Sequence, residues 1–310
     1  MKLASFATGG PARPGLVVGD RVVDIRAGAE ALGVSLPTYD DVLAIIDAGP
    51  DAWEALEGFA DRLTSERFAD GSGTWWWPAS EVRFGVPYVP RKDMIAVGAN
   101  YWDHLVVGYS RIGKEPVAPP YPELFTKRLT SLIGDGDEIV LDKRSTRCLD
   151  SEVELAVVLG RAGRDIPAEK ASSYIFGYSV SNDISGREFN IQHTPQWTRG
   201  KSLDTFCPFG PVIVTPRELD DVYNERLRVR VNGVQTQDCP VGDMLFNVDT
   251  LIASLSEGLT IEPGDVIMCG SGPGVGFEQM PQRWLLHDDV LETEITNIGV
   301  IRNVIKQAGV

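Results

Sequence analysis

Asp150-Ser151-Glu152-Val153-Glu154-Leu155 is the stretch of this chain best suited to chemistry. In a β-strand, residues two apart point the same way. Glu152 and Glu154 therefore share one face, and Val153 and Leu155 share the other. Such a pair is ordinary on a solvated face. Here the strand continues as Ala156-Val157-Val158-Leu159, apolar on both faces, which predicts a buried strand. Two unpaired carboxylates at its start would be costly, and a divalent cation would offset that cost. A third carboxylate, Asp183, ends the next strand candidate, Gly177 to Ser181. Two neighbouring strands can thus bring Glu152, Glu154 and Asp183 to one point. All-oxygen ligands with no nearby His or Cys favour a hard cation, Mg²⁺ or Mn²⁺. About three coordination positions would remain, two of which the keto and carboxylate oxygens of a 2-oxo acid can fill.

The elements that must carry these residues are short. Residues 1 to about 90 read as a small unit. It holds two strands around Gly19-Asp20 and a helix from Asp40 to Asp47, with Val42, Ile45 and Ile46 on one face. A second helix carries Trp53, Leu56, Phe59, Ala60 and Leu63, and Gly71 to Thr74 reads as a loop. Trp75-Trp76-Trp77 is expected to pack an interface between domains or subunits. Val86 to Pro90 reads as an extended linker.

Residues 91–310 are strand-rich. Strands are expected at Met94 to Gly98, Glu152 to Leu159, Gly177 to Ser181 and Leu227 to Val231, the last closed by an Asn232-Gly233 turn. Val266 to Cys269 and Glu292 to Ile301 follow the same pattern. Helices are expected at Pro167 to Phe176 and Asp249 to Ser256.

Composition narrows the function classes. The 310 residues carry a formal net charge of −15, which would repel a nucleic-acid backbone. No signal-like N-terminus and no run of about 18 apolar residues occurs, so a cytoplasmic protein off the membrane is expected. The four cysteines lack CxxC spacing and read as reduced thiols. Gly270 to Gly276 lacks the Lys-Ser/Thr pair of a phosphate loop and reads as a tight turn.

From about Met94 to Asn303 the chain resembles the fumarylacetoacetate hydrolase family. The matching pieces run in order: Val97 to His104, Glu152 to Leu155, Asn182 to Phe189, Arg199 to Phe206, Gly210-Pro211, Val231 to Gly233, Pro263 to Ile267 and Gly270 to Gly276. The resemblance implies a mainly β fold with α+β elements: a mixed β-sandwich roll behind a small α+β N-terminal domain, usually as a homodimer. It implies Glu152, Glu154 and Asp183 as metal ligands. Lys201 falls beside the metal, Arg187 approaches the substrate, and Ser271 stands where many relatives carry threonine. Asn190 takes the place of a common glutamine, and Gly272 that of a proline. His104 is the candidate base. Relatives with a catalytic dyad often carry Glu three residues later, where this chain has Val107; Asp103 and Glu115 are the nearby carboxylates.

These residues predict a hydrolase that splits a carbon–carbon bond of an acylpyruvate-like 2,4-dioxo acid to pyruvate and a second acid, in the catabolism of aromatic compounds or sugar acids. His104 would activate water, with Lys201 and Arg187 offsetting substrate charge. The alternative on the same scaffold is a decarboxylase, tautomerase or isomerase of an oxaloacetate-like acid, which needs no attacking water and which Val107 favours. A non-catalytic ligand-binding member is the remaining reading. Pocket walls are expected from Gly108 to Tyr121 and from Phe277 to Trp284.

Overall fold

The computed structural model describes residues 1–66, 68, 73–111, 113–189 and 196–309. The strand that carries the glutamates, Val153–Leu159, is buried at every position and lies inside a 12-stranded mixed sheet. It pairs antiparallel with Ile175–Asn182 on one side and Val266–Met268 on the other. Its alternation separates two cores. Val153, Leu155, Val157 and Leu159 face one cluster, which includes Leu227, Val229, Leu291, Ile301 and Ile305 of a five-stranded sheet. Ala156 and Val158 face the other, with Met268, Ile213 and the helical residues Ile45, Ile46, Leu56, Phe59 and Leu63. Burying each large aliphatic chain contributes about 1.5–3 kcal/mol, so the strand is anchored from both faces.

The helix Pro50–Ser65 buries Leu56, Phe59 and Leu63, as its spacing predicts. Asp41 caps the helix Val42–Asp47 by accepting from the Ala44 amide. The N-terminal segment does not stand apart. Lys2–Ala7 pairs with Cys207–Val214, so the large sheet runs across both parts of the chain. The Val86 to Pro90 stretch holds neither helix nor strand, and it is pinned to the body because Tyr88 is buried and donates to Gly264 O at 3.0 Å. The tryptophan run packs within its own segment. Trp75 stacks on Phe68 at 5.5 Å, and Trp77 lies 4.7 Å from the Arg13 guanidinium.

Two expected elements take other forms. The predicted helix over Pro167 to Phe176 is helical only at Ala168–Ala171, followed by one 3-10 turn. Its end joins Ile175–Asn182, because Phe176 is needed in the core, edge-on to Trp53 at 5.1 Å. The alternating run Glu292 to Ile301 is two strands, Val290–Ile295 and Gly299–Gln307. Asn297 breaks it at φ 58°, a left-handed conformation that asparagine tolerates. The Asn232-Gly233 turn forms as predicted, with φ 53° and 78°.

Candidate active site

Glu152 sits one residue ahead of the central strand and Glu154 is its second residue. Both are buried. Asp183 follows Ile175–Asn182 directly, and its amide donates to Glu152 O at 2.8 Å. Strand pairing therefore brings the three carboxylates together as predicted, with oxygens within 4.8 Å of one another and all three residues buried.

Cations surround this centre unevenly. Lys201 ends the short helix Trp197–Lys201 and donates to both Glu152 Oε2 and Asp183 Oδ2. Arg187 follows the two-residue strand Ser185–Gly186, and its Nη2 lies 2.7 Å from Glu152 Oε1. Glu154 has no cation within ion-pair distance among the described residues; its side chain accepts from the Gly270 amide at 2.8 Å. The acidities follow this distribution. Burial pushes Glu152 up, but Arg187 and Lys201 outweigh it and hold the carboxyl well below the usual range. Burial and the neighbouring Asp183 charge push Glu154 well above it. For Lys201, burial opposes the charge, yet Asp183 and Glu152 raise its pKa above the ordinary lysine value. A divalent cation fits this donor set. It is all-oxygen and buried, and Glu154 is held there by one backbone amide with no side-chain cation within ion-pair distance among the described residues.

His104 lies on the helix Trp102–Arg111, with Nε2 4.0 Å from Glu152 Oε1. Its other nitrogen, Nδ1, is 2.6 Å from Glu278 Oε1. Glu278 is buried in the 3-10 turn Gly276–Glu278, and its second oxygen accepts from the Gly274 amide at 2.6 Å. The carboxylate that the sequence lacks at Val107 thus arrives from 174 residues away. Asp103 and Glu115 are exposed, and neither carboxylate hydrogen-bonds or ion-pairs with the His104 ring. The one hint of Glu278 is its place two residues beyond the glycine-rich stretch already read as a tight turn. Arg111, at the end of the histidine's helix, donates to Glu278 O at 3.1 Å and ties helix to turn.

Two further residues escaped the sequence reading. Lys127, fully buried at the end of Glu123–Lys127, meets Asp183 Oδ1 at 2.6 Å and Phe206 O at 2.7 Å. Asp150, also buried, holds Arg187 Nε at 2.9 Å. Ser271 is buried and accepts from Gln237 Nε2 at 3.1 Å. Asn190 and His193 lie outside the described residues. His287 is away from the site, where its Nδ1 accepts from the Gln307 amide at 3.2 Å.

These groups open on a cavity of about 440 Å³. Glu152, Glu154, Arg187, Lys201, His104 and Ser271 line it, together with the aromatic rings of Tyr109, Phe125, Trp197 and Phe277. Of the two expected wall segments, Gly108, Tyr109 and Lys114 come from the first and Phe277 from the second.

Residues 93–306 match the family model for the fumarylacetoacetate (FAA) hydrolase C-terminal region. The chain belongs to the fumarylacetoacetate hydrolase family. The mitochondrial oxaloacetate tautomerase Fahd2a of Rattus norvegicus is 37% identical over 281 residues, covering 91% of this chain and 86% of the relative. A 2,4-didehydro-3-deoxy-L-rhamnonate hydrolase from Sphingomonas sp. (strain SKA58) is 38% identical over 257 residues, covering 81% and 88%. A crystal structure of maleylpyruvate hydrolase from Sphingobium sp. SYK-6, in complex with manganese (II) ion and pyruvate, is similar with a TM-score of 0.74. It is 25% identical to this chain and covers 99% of each. The mainly β architecture of this fumarylacetoacetate hydrolase family member is thus that of the resemblance. No helix among its described residues is long and apolar enough to cross a membrane.

Proposed function

We propose that this protein is a divalent-metal-dependent tautomerase of an oxaloacetate-like 2-oxo acid, interconverting its enol and keto forms. The observation that carries the reading is the His104–Glu278 pair set against the carboxylate triad. A relative 37% identical over 91% of the chain, described as an oxaloacetate tautomerase, supports it.

Glu152, Glu154 and Asp183 would hold Mg²⁺ or Mn²⁺. When bound, such an ion supplies Lewis-acid polarisation of the keto and carboxylate oxygens of the substrate. Glu278 accepts from His104 Nδ1–H, which fixes the imidazole tautomer and leaves the Nε2 lone pair directed at the site. Nε2 takes the C3 proton in the keto-to-enol direction while the 2-oxygen gains a proton from solvent. The reverse returns both. Arg187 and Lys201 offset the substrate's negative charge. Arg187 Nη2 lies 2.7 Å from both Asp150 Oδ2 and Glu152 Oε1, which sets its charge at the edge of the triad.

Hydrolysis of a 2,4-dioxo acid is the second reading. The sugar-acid hydrolase relative and Glu278 itself favour it, because an oriented histidine can also deprotonate water. With Glu278 beside His104, Val107 does not count against hydrolysis. The two are separated by following oxaloacetate enol loss with Mg²⁺ or Mn²⁺ while products are identified. Faster enol loss with neither carbon dioxide nor fragments supports tautomerisation. No acceleration with oxaloacetate, together with cleavage of an acylpyruvate into two acids, would replace it with hydrolysis.

A further inference from the structure

The two strands Leu149–Asp150 and Ser185–Gly186 pair so that Asp150 lies opposite Ser185, and the Arg187 amide donates to Cys148 O at 3.1 Å. This register sets the Arg187 guanidinium against the Asp150 carboxylate, with Nε and Nη2 at 2.9 and 2.7 Å from Oδ2. The same carboxylate accepts three backbone amides. Gly276 N is at 2.7 Å and Ser151 N at 2.9 Å from Oδ1, and Phe277 N is at 3.0 Å from Oδ2. Gly276 permits the approach: a Cβ there would lie 2.8 Å from Asp150 Oδ1 and 1.9 Å from Arg283 O. Among the described residues, Asp150 makes no hydrogen bond or ion pair with His104 or with the three carboxylates of the triad. It touches what stands on either side of them.

We propose that Asp150 is a positioning residue that joins Arg187, which approaches the substrate, to the Gly276–Glu278 turn, which carries the partner of His104. One buried carboxylate thereby fixes the register between the group that binds the substrate's charge and the group that orients the base. A buried acceptor with a guanidinium fork and several amide donors is a stiff junction. Small displacements of either arm are costly to rate, because proton transfer needs the base within hydrogen-bond reach of the proton it moves. The proposal rests on the reading that Arg187 and Glu278 serve one substrate.

The test is D150N, which keeps the shape but loses one acceptor oxygen and the charge. Backbone amide exchange is read at Gly276 and Phe277, KM and kcat on oxaloacetate, and Mn²⁺ affinity by electron paramagnetic resonance. We expect exchange at both amides to speed up about tenfold or more, kcat to fall and KM to rise each by about tenfold, and the Mn²⁺ Kd to stay within about twofold. Unchanged exchange, or a Mn²⁺ Kd that weakens as much as kcat falls, overturns the proposal. If D150N does not fold, F277L and F277L/R187M carry the test. Arg187 also lies 5.7 Å from the Phe277 ring; with that ring gone, Arg187 reaches the turn through Asp150, and adding R187M is expected to speed exchange at Gly276 about tenfold. Equal exchange in the two variants overturns it. Because exchange needs no substrate, an inert wild-type protein would sink the tautomerase reading while leaving this junction to stand or fall separately.

Discussion

His104 and Glu278 lie 174 residues apart in the chain, yet the imidazole Nδ1 and the carboxylate Oε1 are 2.6 Å apart. The pair joins a helix to a 3-10 turn, and Arg111 closes the same junction through the Glu278 carbonyl. Its chemistry requires both members. E278Q is expected to lower kcat about a hundredfold with little change in KM, since Gln keeps the shape but no longer stabilises the imidazolium. H104Q should cost at least as much, and the double variant no more than H104Q alone. Steady-state kinetics on the four proteins checks this. Additive losses would mean that Glu278 acts elsewhere.

Metal removal makes the second case. After chelation the protein is expected to lose activity and to recover it with Mg²⁺ or Mn²⁺. E154Q should bind Mn²⁺ at least tenfold more weakly, because one of three oxygen ligands loses its charge. Calorimetric titration of the stripped protein reads the affinity without turnover. Full Mn²⁺ binding by E154Q would remove Glu154 from the ligand set.

The triad was legible because strand periodicity is local. Glu152 and Glu154 alternate on a run whose apolar continuation demands burial, and Asp183 ends the neighbouring strand. Asp150 was not legible this way, because it belongs to the separate strand Leu149–Asp150 and the alternation of Val153–Leu159 does not reach it. Glu278 and Lys127 were not legible. Each meets its partner through tertiary packing, across separations of 174 and 56 residues, and neither carries a local pattern. The break at Asn297 was missed for a different reason. Alternation continues on both sides of a tight turn, so periodicity alone does not register it.

Lys127 and Asp183 are both fully buried, so their ion pair is not weakened by solvent. K127M removes the ammonium and leaves Asp183 Oδ1 and Ile184 O without that donor, while Phe206 O keeps only the Ile184 amide. Breaking one side of a buried pair costs about 3–5 kcal/mol. Urea unfolding should show a correspondingly lower midpoint with an unchanged slope. A loss under about 1 kcal/mol would show that water replaces the ammonium readily.

Cys148 is the one cysteine of the four that is not fully buried. Burial, together with the Glu188 charge, pushes its thiol up to about 11. The thiolate is the reactive form, so its population grows as pH rises toward that value and is small below it. At pH 8 iodoacetamide should label Cys148 in the folded protein about a hundredfold more slowly than an ordinary exposed thiol, with the rate climbing up to about pH 11. Mass spectrometry of timed aliquots measures it. A rate that levels off near pH 9 would contradict the assignment.

Gly98 ends the strand Met94–Gly98 at the cavity wall, where the Trp197 ring crosses directly over it. A Cβ at this position would lie 2.1 Å from the ring, far inside van der Waals contact, so G98A must displace the indole. Trp197 packs edge-on against Phe125 at 5.6 Å, and the Lys201 ammonium lies 5.3 Å from the Phe125 ring. Displacement of the indole therefore passes to the residue that bridges Glu152 and Asp183. G98A is expected to raise KM about tenfold and to lower stability by about 1–3 kcal/mol, the usual cost of overpacking. Replacing the indole with a smaller side chain in G98A/W197L should recover most of the stability. If W197L alone raises KM as much as G98A does, the ring itself contacts substrate; if it leaves KM unchanged, the ring acts through Phe125 and Lys201.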